Sequence, residues 1–193
     1  QSAAMAAEAF YRINNKPAIL SVTSGPGGTN AITGVIGAWI DSVPMIIISG
    51  QVESKDMILK SQTRQIGIQE ANINDIIKPI TKYSKVLTKN CNIEFELSIA
   101  LRIATEGRPG PVWIDVPLDI QSQKFDKKKI NYSKIKKYYS NILDNKKISS
   151  TLKLINESKR PTILIGNGVH ISKSEKKFFK FLKKTNIPFL STW

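Results

Sequence analysis

Eight residues, Thr23-Ser24-Gly25-Pro26-Gly27-Gly28-Thr29-Asn30, carry the strongest chemical signal in the chain. They follow the apolar run Ala18, Ile19, Leu20 and Val22, and they precede Ala31, Ile32, Val35, Ile36, Ala38 and Trp39 at helical spacing. A strand, a glycine-rich turn and a helix start gather backbone N–H groups beside the positive end of a helix dipole. Gly25, Gly27 and Gly28 would let the backbone approach an anionic or polar cofactor closely. The turn matches neither G-x-G-x-x-G nor G-x-x-x-x-G-K-[ST], so the common nucleotide readings have no support. On its own residues it is equally a tight βα connection. Other reactive side chains are few. Cys91 stands alone beside Asn90 and Asn92, so no intrachain disulfide forms; it reads as a structural thiol in a reducing cytoplasm. His170 is the sole histidine, and no metal site is expected in this chain.

The elements that would position the turn alternate along the chain. An alanine-rich helix is expected over 2–13, a strand over 18–22, a helix over 29–39 and a fully apolar strand over 45–49. Residues 53–69 have no clean period and read as a mobile loop. A short strand over 80–86, a helix over 93–105 and an apolar strand over 112–116 follow. Continuously apolar strands alternating with helices predict an α/β fold, a doubly wound, mostly parallel sheet flanked by helices. Ligands of such sheets bind beyond the carboxyl ends of the strands, where the 24–30 turn and the Gly50-Gln51 turn should lie. Trp39 and Trp113 read as core residues.

Beyond this first domain, 1–121, the segment 122–150 reads as an interdomain connection, because apolar periodicity fades while Lys and Asn accumulate. Residues 151–193 read as the truncated start of a second α/β domain. It holds a strand over 162–165, the turn Gly166-Asn167-Gly168, a lysine-rich amphipathic helix and a strand over 187–190. With so few strands it is expected to be unstable or poorly ordered alone. Charge is uneven: residues 1–123 hold 11 Lys+Arg against 11 Asp+Glu, whereas residues 124–193 hold 18 against 4. Clustered lysines raise a nucleic-acid reading. Yet Arg160 is the only arginine there, and the lysines around Phe178, Phe179, Phe181 and Leu182 form the solvated face of a helix, so no nucleic-acid partner is expected. No apolar run reaches the ~18 residues of a membrane span.

The turn begins an ordered series. Gly25-Pro26-Gly27-Gly28-Thr29-Asn30 leads to Asp41-Ser42-Val43-Pro44, Ser49-Gly50-Gln51-Val52, Gln69-Glu70 and Ile80-Thr81-Lys82-Tyr83. Gly107-Arg108-Pro109-Gly110-Pro111-Val112 and Asp115-Val116-Pro117 complete it. The series resembles the N-terminal, pyrimidine-binding domain of thiamine-diphosphate-dependent enzymes, in particular the acetolactate synthase group of 2-oxo-acid carboligases and decarboxylases. It covers nearly all of residues 1–121, and 151–193 resembles the opening of that family's central domain. The resemblance implies decarboxylation of pyruvate or another 2-oxo acid and transfer of the remainder to an acceptor carbonyl. It also implies thiamine diphosphate, Mg²⁺ held by a domain not in this chain, and a cytoplasmic homodimer or homotetramer with the active site between subunits. The family's principal acid, a glutamate that hydrogen-bonds the pyrimidine, would lie one residue before Gln1, so the chain is expected to be an inactive fragment.

Carried over by position, Pro26, Gly27 and Asn30 correspond to the turn that contacts the aminopyrimidine, and Gln69 to the glutamine that reaches the cofactor's reactive side. Arg108 corresponds to an arginine contacting FAD in acetolactate synthases, and Gly166-Asn167-Gly168 lies where the flavin's adenosine part would pass. There are departures. Ile68 replaces the usual Phe, extra residues lie between Gln51 and Gln69, and Asn167 stands where a third glycine is frequent. Leu118 replaces a lysine typical of acetolactate synthases, which keeps open a related carboligase of sugar or polysaccharide biosynthesis. A non-catalytic α/β binding module is a further alternative. Taken without the family, Arg108 could cap the C-terminus of the preceding helix and hold the Gly107–Pro111 turn, Gln69 and Glu70 could be loop surface, and Asn30 could be a helix-start residue only.

Overall fold

A computed structural model describes residues 1–58, 63–124 and 144–192. Parts of the expected loop and of the expected connection therefore lie outside the described residues. The chain divides into two compact units, 1–140 and 141–193.

The first unit is built on four parallel strands: β1 (Ala18–Val22), β2 (Met45–Gln51), β3 (Tyr83–Val86) and β4 (Val112–Pro117), in the order β1-β2-β4-β3. The inner strands β2 and β4 are buried on both faces, which is why Met-Ile-Ile-Ile and Val-Trp-Ile are unbroken apolar runs. One face carries Met45, Ile47, Leu20 and Trp113. It is covered by α1 (Ser2–Asn14) through Ala4 and Ala7, by α2 (Pro26–Ile40) through Ala31, Val35 and Ala38, and by α3 (Ile73–Ile77) through Ile73 and Ile77. The other face carries Ile46, Val112 and Ile114, covered by Ala100, Ile103 and Ala104 of α4 (Ile93–Thr105) and by Ile120 of α5 (Leu118–Gln121). Helices on both faces of a parallel sheet make this the doubly wound α/β fold the sequence predicts.

Several boundaries differ from expectation. The third strand is confined to Tyr83–Val86, because Pro79 lies in a 3₁₀ turn over Lys78–Ile80. Helix α3 falls in a segment too short to show a period. Its start is set by Asn72, whose side chain accepts from the Asp75 N–H at 3.4 Å. Trp113 is fully buried, but Trp39, expected in the core, is 38% exposed near the end of α2.

In the second unit α6 (Asn145–Glu157) begins inside the segment read as a connection, capped by Asp144, which accepts from Lys146 N–H at 3.0 Å and Lys147 N–H at 3.4 Å. Then come β5 (Ile163–Ile165), α7 (Gly168–Ile171), α8 (Glu175–Thr185) and β6 (Phe189–Ser191), with β5 and β6 paired in parallel. Helix α8 is the expected lysine-rich amphipathic helix, and its Leu182 is buried.

Candidate functional site

Strand β1 delivers the chain to Gly25, which has φ +55° and acts as N-cap of α2. Helix α2 starts at Pro26, three residues before the expected Thr29, because proline's fixed φ and missing N–H suit the first helical position. Pro26, Gly27 and Asn30 thus lie in the first turns of the helix, Pro26 and Asn30 exposed and Gly27 half-buried. The turn closes through Gly27 N–H to Ser24 O at 3.3 Å and Thr29 N–H to Gly25 O at 3.0 Å. A β-carbon at Gly25 would stand 1.9 Å from the backbone carbonyl oxygen of Gln69, so a side chain there meets both steric overlap and the left-handed backbone.

That contact brings Gln69 to the glycine turn from the far end of a long loop. Gln69 is exposed and itself left-handed, with φ +57°. Its neighbour Glu70 closes the turn around it: the carboxylate accepts from Gly67 N–H at 3.3 Å, from Ile66 N–H at 3.4 Å and from Ile58 N–H. Glu70 is therefore more than loop surface. Ile68 is 87% exposed.

Beneath this surface lies a polar cluster to which sequence reasoning gave no role. The β2–β4 register sets Ser49 opposite Asp115. Asp115 is 1% exposed and accepts from Ser49 Oγ at 2.5 Å and from Gln51 Nε2 at 3.0 Å. Burial pushes the Asp115 carboxyl up to about 6, outweighing the hydrogen bonds from Ser49 and Gln51 that favour its ionised form. Ser49 Oγ also accepts from Trp113 Nε1–H at 2.7 Å, and the Trp113 ring lies in van der Waals reach of a β-carbon placed on Gly28. The available signal was a carboxylate inside the otherwise apolar strand Val-Trp-Ile-Asp-Val. An open cavity of about 720 Å³ sits at the carboxyl ends of β1, β2 and β4, bordered by Ser21, Thr23, Ser24, Gln51, Val52 and Leu118 among others.

Arg108 is placed elsewhere. Helix α2 ends in a paired terminus, with Ser42 N–H to Trp39 O at 3.3 Å and Val43 N–H to Ala38 O at 2.8 Å. Arg108 Nε donates to Ser42 Oγ at 2.6 Å, and its Nη2 donates to Ile40 O at 3.4 Å. With 15 residues in α2, that terminus is about 22 Å from the glycine turn. The structure unites Pro26, Gly27 and Gln69 at one edge of the sheet and leaves Arg108 at the other. Gly166-Asn167-Gly168 leads from β5 into α7 in the second unit. Among the described residues no group of three or more His, Cys, Asp or Glu side chains could hold a metal ion. No described helix is long and apolar enough to cross a membrane.

Comparison with known proteins agrees with this geometry. Residues 1–73 match the family model described as thiamine pyrophosphate enzyme, N-terminal TPP binding domain. Residues 148–193 match the model of the central domain of the same enzymes, and the two matches together span more than half of the chain. The chain belongs to the thiamine pyrophosphate enzyme family. Among its relatives, the acetolactate synthase large subunit of Haemophilus influenzae is 34% identical, over all of this chain and 33% of that protein. A probable acetolactate synthase large subunit of Methanococcus aeolicus is 38% identical, over all of this chain and 32% of its own length. The chloroplastic acetolactate synthase of Arabidopsis thaliana is 35% identical, over the full chain and 28% of that protein. The chain spans about a third of the length of the curated relatives it matches. This similarity favours the acetolactate synthase likeness over a sugar-pathway carboligase or a non-catalytic module, despite Leu118.

Proposed function

We propose that this chain supplies the pyrimidine-binding domain (1–121) and, after a connection over 122–150, the start of the central domain (151–193) of a thiamine-diphosphate-dependent carboligase of the acetolactate synthase kind. Its substrate is a 2-oxo acid. The observation that carries the reading is the seating of Gln69 on Gly25. Two separate parts of the family pattern, joined by an irregular loop, meet at the carboxyl ends of the strands, where α/β sheets bind ligands.

The residues present fit the cofactor. The cavity beside the turn offers hydroxyl groups from Thr23 and Ser24 beside apolar walls from Val22, Val52 and Leu118, a mixture suited to a flat aminopyrimidine ring. In this reading Pro26, Gly27 and Asn30 contact the ring, and Gln69 faces the reacting carbonyl. Thiamine diphosphate, when bound, supplies the electron sink that makes loss of carbon dioxide from a 2-oxo acid accessible. Glycines and proline orient the ring by backbone shape, and burial around Asp115 excludes water from the floor of the site. Mg²⁺ and the diphosphate belong to a further domain, and a second subunit completes the site in a homodimer or homotetramer in the cytoplasm. In the first unit, Arg108 is the residue through which FAD would bind.

The test is calorimetry on the product of the complete reading frame with Mg²⁺ and thiamine diphosphate, followed by carbon dioxide release from pyruvate and 2-oxobutyrate. Saturable uptake with release is the expected result. No uptake, or Ala or Val in place of Glu directly before Gln1, would reject the reading.

A further inference from the structure

The site residues have a common support that nothing in the family pattern assigns. Asp115 is buried on β4 and does not reach the surface, so it cannot touch a ligand directly. Its two oxygens face two donors, Ser49 Oγ at 2.5 Å and Gln51 Nε2 at 3.0 Å. Ser49 Oγ already accepts from the Trp113 indole, which directs its single hydrogen to Asp115. Gln51 is equally constrained, because its Oε1 accepts from Val52 N–H at 2.9 Å, which fixes which end of the amide faces Asp115. The same Nε2 also donates to Ala71 O at 3.2 Å. Ala71 lies two residues after Gln69, at the end of the turn that Glu70 closes.

We propose that Asp115 is a positioning residue: through Gln51 it clamps the 66–71 turn to the sheet and so sets where Gln69 stands relative to Gly25. The inference rests on the proposed role of Gln69 in the cofactor site. The chemistry demands an acceptor on both oxygens. In Asp115→Asn one oxygen becomes a donor: aimed at Gln51 it opposes another N–H, and aimed at Ser49 it leaves the hydroxyl hydrogen without an acceptor. An asparagine can therefore satisfy one neighbour only, whereas a carboxylate satisfies both. The left-handed backbone at Gln69 is a strained conformation that persists only while its surroundings hold it, so loosening the clamp releases the residue.

The test uses the complete enzyme and the variants Asp115→Asn, Gln51→Ala, Gln69→Ala and the double variant Asp115→Asn/Gln69→Ala. Amide hydrogen exchange at 66–71 is expected to accelerate about tenfold or more in Asp115→Asn and Gln51→Ala, while 112–114 stays protected. The kcat is expected to fall about tenfold, with KM changed less than threefold, as for an interaction made in the transition state. The double variant should be no slower than Gln69→Ala alone, because both changes remove one function. Unchanged exchange at 66–71, or losses that multiply in the double variant, overturns the proposal. If Asp115→Asn does not fold, Gln51→Ala and Gln51→Ala/Gln69→Ala carry the same test. Failure of wild-type enzyme to take up thiamine diphosphate would refute the proposed function instead, and the exchange measurement still decides the clamp.

Discussion

At the carboxyl end of the four-stranded sheet, left-handed Gly25 and Gln69 meet each other, and a buried carboxylate is held between Ser49 and Gln51. At the amino end, exposed arginines tie down ordinary helix termini. Arg108 meets the end of α2, and Arg12 joins Glu8 at 2.6 Å and Asp41 across α1 and α2. Both ends use hydrogen bonds and charge, but only the first buries a carboxylate; at the second Ser42 is buried while its partner Arg108 stays exposed. Buried polar groups cost heavily when a partner is lost, whereas surface pairs are worth little. Structural economy therefore concentrates at the amino end, and positional control at the carboxyl end.

The contrast can be broken most sharply at Gly25. Gly25→Ala is expected to cost about 2–4 kcal/mol and to weaken thiamine diphosphate binding at least about a hundredfold, through steric overlap and φ strain together. Thermal melting and calorimetry check both numbers. Asp115 gives the next effect. Its folded pKa, about 6, lies above its ordinary value of 3.8, so the folded chain holds the proton more tightly than the unfolded chain. The stability this proton confers is complete below pH ~4 and is lost as pH rises through 6, a fall of roughly 3 kcal/mol. Urea midpoints at pH 4 and pH 7 measure it, and Asp115→Asn should flatten the difference. Arg108→Ala is expected to change stability by less than about 1 kcal/mol and to leave thiamine diphosphate affinity intact. If FAD binds as proposed, flavin affinity should drop in the same variant. Arg12→Ala should give the smallest effect, a few tenths of a kcal/mol that shrinks further in 1 M salt. A large loss of thiamine diphosphate binding in either arginine variant would erase the distinction between the two ends.

Much of the carboxyl end was legible in the residues. The apolar runs at 45–49 and 112–116 read as buried parallel strands because both their faces are covered, and the glycine turn followed from its flanks. Helix α2's start was misread because Gly-Pro-Gly-Gly looks like punctuation, whereas proline after a left-handed glycine begins the helix. The tie from Gln51 to Asp115 was illegible. It depends on the register between β2 and β4, which a local pattern does not contain. Gln69's left-handed backbone was hidden for a similar reason, since the turn around it is closed by Glu70 side-chain bonds to Ile58, Ile66 and Gly67 that a local pattern does not contain. In the second unit α6 was missed at its start, because Lys and Asn mask the helix and the Asp144 cap alone marks where it begins.

Pinning both ends of the excursion between Gln51 and Gln69, one by the sheet and the other by Gly25 and Gln51, frees its middle to vary. Lengthening such a closed excursion costs only ~0.6 kcal/mol per doubling, so added residues there need not displace the glutamine. Insertion and deletion can then reshape the approach to the pocket while Gln69 keeps its seat on Gly25.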